Sequence, residues 1–100
     1  MAEPKKETSG LTVFEVINQT RKEFFVGTTI LGMHEVIEQH RDAPPSAIAH
    51  WQQGDKINYR SIKFDLPVKD AAQFIETHAK RLARTSNWKV IRQSGWNYGT

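Results

Sequence analysis

The chain contains 100 residues, of which 38% are hydrophobic, and this length and composition fit one domain with a modest core. It has no cysteine, which excludes disulfide bonds and thiolate metal sites, and its net charge is only +3. No stretch approaches the roughly 18 consecutive apolar residues of a membrane span, and residues 1–10 lack the apolar core of a secretory signal. We therefore expect a soluble cytoplasmic protein without a membrane partner.

Residues 1–10 mix charged residues with Pro, Ser and Gly and offer nothing to bury, so they are predicted to form a disordered arm. Residues 11–17 and 23–28 are rich in β-branched and aromatic residues, and the five residues between them are polar. This pattern predicts a β-hairpin with apolar side chains on both faces, as in a sheet that is covered on both sides. Gly27, in the second strand, indicates the close approach of another group.

The next segment has the periodicity of a helix over residues 30–41, which Thr28 or Thr29 can cap. Four residues at helical spacing are expected on its buried face, namely Met33, Val36, Ile37 and His40. Two successive prolines end this helix, and a short second helix is predicted over residues 46–51.

Residues 57–64 have the composition of a third strand, and a bulge near Arg60 or Ser61 would bring its apolar residues to one face. The longest helix is predicted over residues 67–84, because Pro67 suits a first helical turn and apolar residues recur at helical spacing. Its expected buried residues are Ala71, Phe74, Ile75, His78 and Leu82.

Residues 88–93 are expected to be extended, with a short edge strand as one interpretation, and residues 94–100 are expected to form a flexible tail. Residues 11–93 are thus predicted to form a single domain. The order strand, strand, helix, short helix, strand, long helix predicts an α+β fold in which helices flank a small three-stranded antiparallel sheet.

The predicted hairpin also carries two short motifs. Residues 12–14, TVF, are followed by Asn18, and residues 25–27, FVG, are followed by two threonines. The first is similar to a G-I-Y motif with its downstream asparagine, and the second is similar to Y-I-G. In these motifs and in its element order, the segment 11–92 resembles the GIY-YIG nuclease domain. The resemblance implies the fold of that family and, where its residues are kept, cleavage of phosphodiester bonds.

The family's reaction uses the hydroxyls of the two motif tyrosines, an arginine on the first helix and a glutamate on a later helix that holds one divalent metal ion. Here Phe14 and Phe25 stand at the tyrosine positions, and a phenyl ring can neither donate a hydrogen bond nor relay a proton. The arginine position is occupied by Glu35, with His34 beside it. The glutamate position is occupied by Ala71, with Asp70 beside it. The resemblance therefore implies an inactive scaffold without catalytic residues, metal or cofactor. Mg²⁺ would be needed only if some nuclease activity remained. The four histidines form no pair four residues apart, so the sequence predicts no metal site.

Charge is distributed unevenly along the chain. Residues 1–55 contain five Lys and Arg against eight Asp and Glu, a net charge of −3, whereas residues 56–100 contain nine against three, a net charge of +6. An ordinary solvated surface explains this asymmetry, and contact with a polyanion such as DNA or RNA is the alternative interpretation. The candidate nucleic-acid-binding residues are Arg21, Lys22, Arg60, Lys63, Lys80, Arg81, Arg84, Lys89 and Arg92.

From these patterns we predict a catalytically inactive domain that binds nucleic acid weakly and without sequence preference. One alternative is a protein-interaction or homodimerisation module that uses the extended segment 88–93 or exposed aromatic residues. The aromatic residues in question are Trp51, Trp96 and Tyr98. A second alternative is a divergent metal-dependent endonuclease with new acid/base groups, for which the candidates are Tyr59, His34 and His50.

Overall fold

The computed structural model describes residues 10–30 and 32–93. Its elements are β1 (Leu11–Asn18), β2 (Glu23–Thr29), α1 (Met33–Asp42), a 3₁₀ turn (Ser46–Ile48), β3 (Ile57–Leu66), α2 (Val68–Ser86) and β4 (Lys89–Arg92). The predicted N-terminal arm, apart from Gly10, and the predicted tail over residues 94–100 lie outside the described residues. Within the described chain, no helix is both long and apolar enough to cross a lipid bilayer.

The four strands form one mixed sheet in the order β3-β1-β2-β4. β1 pairs antiparallel with both β2 and β3, whereas β4 pairs parallel with β2. The α+β class is therefore confirmed, but the three-stranded antiparallel sheet is a wrong description. β3 ends far from the hairpin turn, and α2 returns the chain to the hairpin end of the sheet, where β4 starts beside Glu23. A strand that starts there and pairs with β2 has to run in the direction of β2.

β3 is irregular, as its imperfect alternation predicts, but it has two register shifts against β1, and both lie further along the strand than predicted, between Ser61 and Lys63 and between Lys63 and Leu66. Phe14 pairs with Ser61 while Val13 pairs with Lys63, so Ile62 is the extra residue. Ile62 packs on the α2 side of the sheet, opposite the side on which Tyr59 packs. The bulge therefore does not gather the apolar residues on one face, because this sheet buries apolar residues on both faces.

A helical layer covers each face of the sheet, as the two-sided apolar strands predict. On one face α2 packs over a core of Leu11, Val13, Val26, Leu66, Ala71 and Ile75. On the other face α1 and the 3₁₀ turn pack over Phe14, Val16, Phe25, Val36 and Ile48. Gly27 meets a close neighbour, as expected, since a Cβ atom there would lie 2.6 Å from Oε1 of Gln93.

The helix boundaries differ from the predicted ones for identifiable reasons. Thr28 and Thr29 pair with β1, so they cannot cap α1, which begins at Met33 with Gly32 as its N-cap. Ile37 is 40% exposed rather than buried, and the predicted short helix is only a three-residue 3₁₀ turn. α2 ends at Asn87, whose φ of 63° lies in the left-handed region that terminates helices.

Candidate functional site

A partly open cleft of about 490 Å³ lies on the α1 face of the sheet, and we name it the α1 cleft. It lies between α1, the 3₁₀ turn and the end of β2. Its apolar lining includes Phe14, Phe25, Ile30, Val36, Ala43, Pro45 and Ala47, and its polar lining includes Thr28, Thr29, Gln39, His40, Ser46 and Gln93. A volume of this size is typical of a small-molecule site.

Phe14 and Phe25, the two residues at the motif tyrosine positions, lie side by side in the α1 cleft. Phe14 pairs with Gly27 and Phe25 pairs with Val16, so the two rings are diagonal neighbours on one face of the sheet. Their centroids are 6.3 Å apart, and the two residues are 2% and 1% exposed. Both rings are therefore packed into the core and contribute only an apolar floor to the cleft.

His40 lies over this floor and is held by Tyr59 of β3. The Nδ1 atom of His40 is 3.0 Å from the hydroxyl of Tyr59, within hydrogen-bond distance. The imidazole centroid lies 5.6 to 6.2 Å from the centroids of Phe14, Phe25 and Tyr59. Burial lowers the pKa of His40 and raises the pKa of Tyr59. In both residues the charged form is disfavoured, because burial deprives it of hydrating water.

The pairing of His40 with Tyr59 is absent from the sequence-based candidates. The sequence places His40 on the buried face of α1, and it names Tyr59 as an acid/base candidate only beside His34 and His50. Helical periodicity with Val36 was a signal that His40 faces the sheet, but it could not identify the strand that His40 meets.

The other positions that the resemblance matches to catalytic residues are not brought together with the two phenylalanines. His34 and Glu35 are exposed on α1, where His34 Nε2 lies 3.1 Å from Glu38. Ala71 is buried in the α2 core on the opposite face of the sheet, and Asp70 borders a separate, smaller cleft. In residues 10–30 and 32–93 there is no group of three or more His, Cys, Asp or Glu placed to hold a metal ion.

Four of the nine candidate nucleic-acid-binding residues form ion pairs within the domain. The guanidinium of Arg21 is 2.7 Å from Asp55, and that of Arg60 is 2.7 Å from Glu15. Arg92 and Lys80 approach Glu76 at 2.8 Å and 3.9 Å. These pairs reduce the charge that the four residues can offer to a phosphate.

A different subset of cations converges at one end of the sheet, which we name the basic end and define as Lys22, Lys56, Arg84 and Lys89. The hairpin turn, the start of β3, the end of α2 and the start of β4 all lie there. The Lys89 N–H donates to the Lys22 carbonyl at 3.3 Å, and the Gln19 N–H donates to the Lys56 carbonyl at 2.9 Å. All four side chains are exposed, and the described residues offer them no ion pair.

Lys56 was missed as a candidate, although β1–β3 pairing places it beside the hairpin loop. The candidate residue Arg81 lies one turn before Arg84 and is also exposed, whereas Lys63 lies on β3 towards the other end of the sheet. The sequence alone gave no reason to place Lys56 near Lys22, because only the pairing of β1 with β3 brings both residues to the same end of the sheet.

The carboxylates at the basic end are already occupied by internal hydrogen bonds. Glu23 accepts hydrogen bonds from Trp51 Nε1 and His50 Nε2, both at 2.7 Å. Burial opposes ionisation of Glu23, but these two hydrogen bonds, together with electrostatic attraction from His50 and Lys89, outweigh it and lower the pKa of Glu23. Hydrogen bonds from Asn18 and the backbone around Asp55 hold the pKa of that carboxyl at about 2. Internal hydrogen bonds therefore satisfy these acids. Lys89 lies close enough to Glu23 to help lower its pKa, but none of the four cations forms an ion pair with a described residue.

The structure also corrects the prediction of an exposed Trp51. This side chain is half-buried and packs against the α1-side core, and its indole N–H is bonded to Glu23. Trp96 and Tyr98 lie outside the described residues. β4 is an outer strand of the sheet, but it is only four residues long.

Comparisons of the chain with protein-family models, with curated proteins and with solved structures found no match.

Proposed function

We propose that this domain is a nuclease scaffold of the GIY-YIG type that binds nucleic acid through backbone phosphates at the basic end and does not cut it. The observation that carries the proposal is that four exposed cations from four chain segments lie at one end of the sheet, and none of them forms an ion pair with a described residue. Three of the four are lysines, which attract phosphate as point charges and carry no information about base sequence.

The same observation predicts how binding responds to salt. Each neutralised phosphate contributes about −0.9 to the slope of log affinity against log salt, so four contacts give a slope of about −3.6. Raising the salt concentration from about 50 mM to about 200 mM should then weaken binding roughly a hundredfold. Binding of this kind is weak and independent of sequence at physiological ionic strength.

A non-catalytic role is supported by the residues at the positions that cleave in the similar family. Phe14 and Phe25 have no hydroxyl, and Glu35 would repel a phosphate where an arginine would attract it. Asp70 and Ala71 lie across the sheet from the two phenyl rings. Removing even one preorganised charge-stabilising group typically costs about 10² to 10³ in rate, so several losses leave no useful nuclease.

Fluorescence anisotropy with a short labelled DNA duplex, measured over a salt series, tests the binding. A Lys22→Gln and Lys89→Gln double variant should lower the affinity and reduce the salt slope by about half. The matched control is a Lys63→Gln and Lys69→Gln double variant, which removes two exposed charges at the opposite end of the sheet. Equal losses in the two variants would overturn the assignment of the basic end.

The absence of cutting is tested in the same preparation. Incubation of the protein with DNA and Mg²⁺ or Mn²⁺ should leave single-stranded, duplex and branched substrates intact. Cleavage that a Glu76→Ala change abolishes would contradict the non-catalytic proposal, while the binding result would stand on its own.

A further inference from the structure

The α1 cleft is uncharged, in contrast to the basic end. None of the Lys, Arg, Asp or Glu side chains in the described chain lines it. Among the described lining residues the titratable one is His40, and burial lowers its pKa, which favours the neutral imidazole. An ion that entered this cleft would lose hydration without gaining a countercharge, and that loss is unfavourable.

The cleft combines an aromatic floor with several polar side chains, among which His40 lies over the floor. The rings of Phe14 and Phe25 form the floor, and Tyr59 holds His40 through its Nδ1 atom. Nε2, the other ring nitrogen, makes no hydrogen bond within residues 10–30 and 32–93. The cleft is therefore lined by apolar rings and by an imidazole that Tyr59 orients and that keeps one ring nitrogen without a partner in the described residues.

We propose that the α1 cleft binds a small, uncharged aromatic ligand that packs against the half-buried ring of His40, above the buried rings of Phe14 and Phe25, and forms a hydrogen bond with Nε2 of His40. Aromatic rings of ligand and protein attract each other in offset or edge-to-face arrangements, which suits a floor of tilted rings. The site lies at the end of β2 opposite the hairpin turn, so it is separate from the basic end.

Three compounds of nearly the same shape and different charge test this ligand class, namely benzamide, benzoate and benzamidinium. Each is titrated into ¹⁵N-labelled protein, and the backbone amide signals are followed by NMR. Benzamide should shift the signals of residues around the cleft, such as Thr29, Val36 and Ala47, with an affinity on the order of 1 mM. Benzoate and benzamidinium should bind at least about tenfold more weakly, because each would bury an unpaired charge.

Variants locate the ligand within the protein. Ala43→Leu and Ala47→Leu add bulk to two lining residues, and each should weaken benzamide binding by about tenfold or more. Ala72→Leu makes the same change on the exposed surface of α2 and should leave binding unchanged. Ala43 is exposed, so its variant is informative even if the half-buried Ala47 variant fails to fold.

His40→Phe keeps a ring in place and removes Nε2. It should weaken benzamide binding about fivefold, which is the contribution of one ordinary hydrogen bond. Equal shifts with benzamide and benzoate, or undiminished benzamide binding in Ala43→Leu, would overturn the proposal. Shifts confined to residues around Lys22 and Lys89 would also overturn it, because they would place the ligand at the basic end.

Discussion

The two faces of the sheet are covered by helices of unequal length. α2 has 19 residues and spans about 28 Å, close to the length of about 27 Å expected for the eight-residue β1. α1 has 10 residues and spans about 15 Å, and the 3₁₀ turn adds only three residues. The long helix can therefore seal its face, whereas the short helix leaves room for the α1 cleft beside it.

The two faces also differ in how fully their polar side chains are paired within the protein. On the α2 face, Glu15 is 1% exposed, and its two oxygens lie 3.0 Å from His78 Nε2 and 2.7 Å from the Arg60 guanidinium. On the α1 face, His40 lines the cleft and has a described partner, Tyr59, for only one of its two ring nitrogens. A sealed face has to satisfy its polar groups internally, while an open face can leave one for a ligand.

The largest effect is expected from removing the buried carboxylate of the sealed face. Glu15→Ala leaves His78 buried without its partner, and it should lower the free energy of unfolding by about 3 kcal/mol. Urea denaturation measures the change. Glu38→Ala, which removes a carboxylate from an exposed pair with His34, should cost less than about 0.5 kcal/mol. Similar small losses in both variants would show that the α2 face is not sealed around Glu15.

A smaller difference is expected between two buried valines on opposite faces. Val26→Ala, in the α2-side core, should cost about 2 to 3 kcal/mol, because it removes packed methyl groups and leaves a closed void. Val36→Ala, at the lining of the α1 cleft, should cost about 1 kcal/mol. The space it creates joins an existing cleft, and alanine also favours the helix. Denaturation curves that rank the two in the opposite order would contradict the comparison.

The smallest effect concerns pH and the open face. Burial holds the pKa of His40 below its ordinary value of 6.5, so the unfolded chain binds a proton there more readily than the folded one. Stability from this residue is present above pH 6.5 and is lost as the pH falls below that value. Thermal unfolding between about pH 7.5 and pH 5 should show a smaller decline for His40→Phe than for the unaltered protein. His34→Phe, an exposed control on the same helix, should keep the full decline.

Much of the local structure follows from the sequence because it depends on neighbours along the chain. Alternation in residues 11–17 and 23–28 predicts the hairpin, and helical spacing predicts most of the buried stripe of α2, including Ala71 and Ile75. Gly27 indicates close packing because a side chain there would collide with a neighbour. These signals are periodic or steric, and a short window of residues contains them.

The errors arise where a residue's partner lies far away in the chain. Thr28 and Thr29 look like helix caps until strand pairing occupies their backbone. The α1 cleft exists because α1 is shorter than the sheet that it covers. The contact of His40 with Tyr59 joins residues 19 positions apart in the chain. Neither feature has a local pattern, so neither could be predicted without the packed structure.

The sequence by itself determined the α+β class, the hairpin, the two helices and the excess of positive charge after residue 55. Only the tertiary structure decided that the predicted edge strand β4 pairs parallel with β2, which cations form no ion pair at the basic end and which face stays open. The physical reason is that periodicity in the sequence indicates which side of a helix or strand is apolar. Strand pairing and packing decide which distant residues that side contacts.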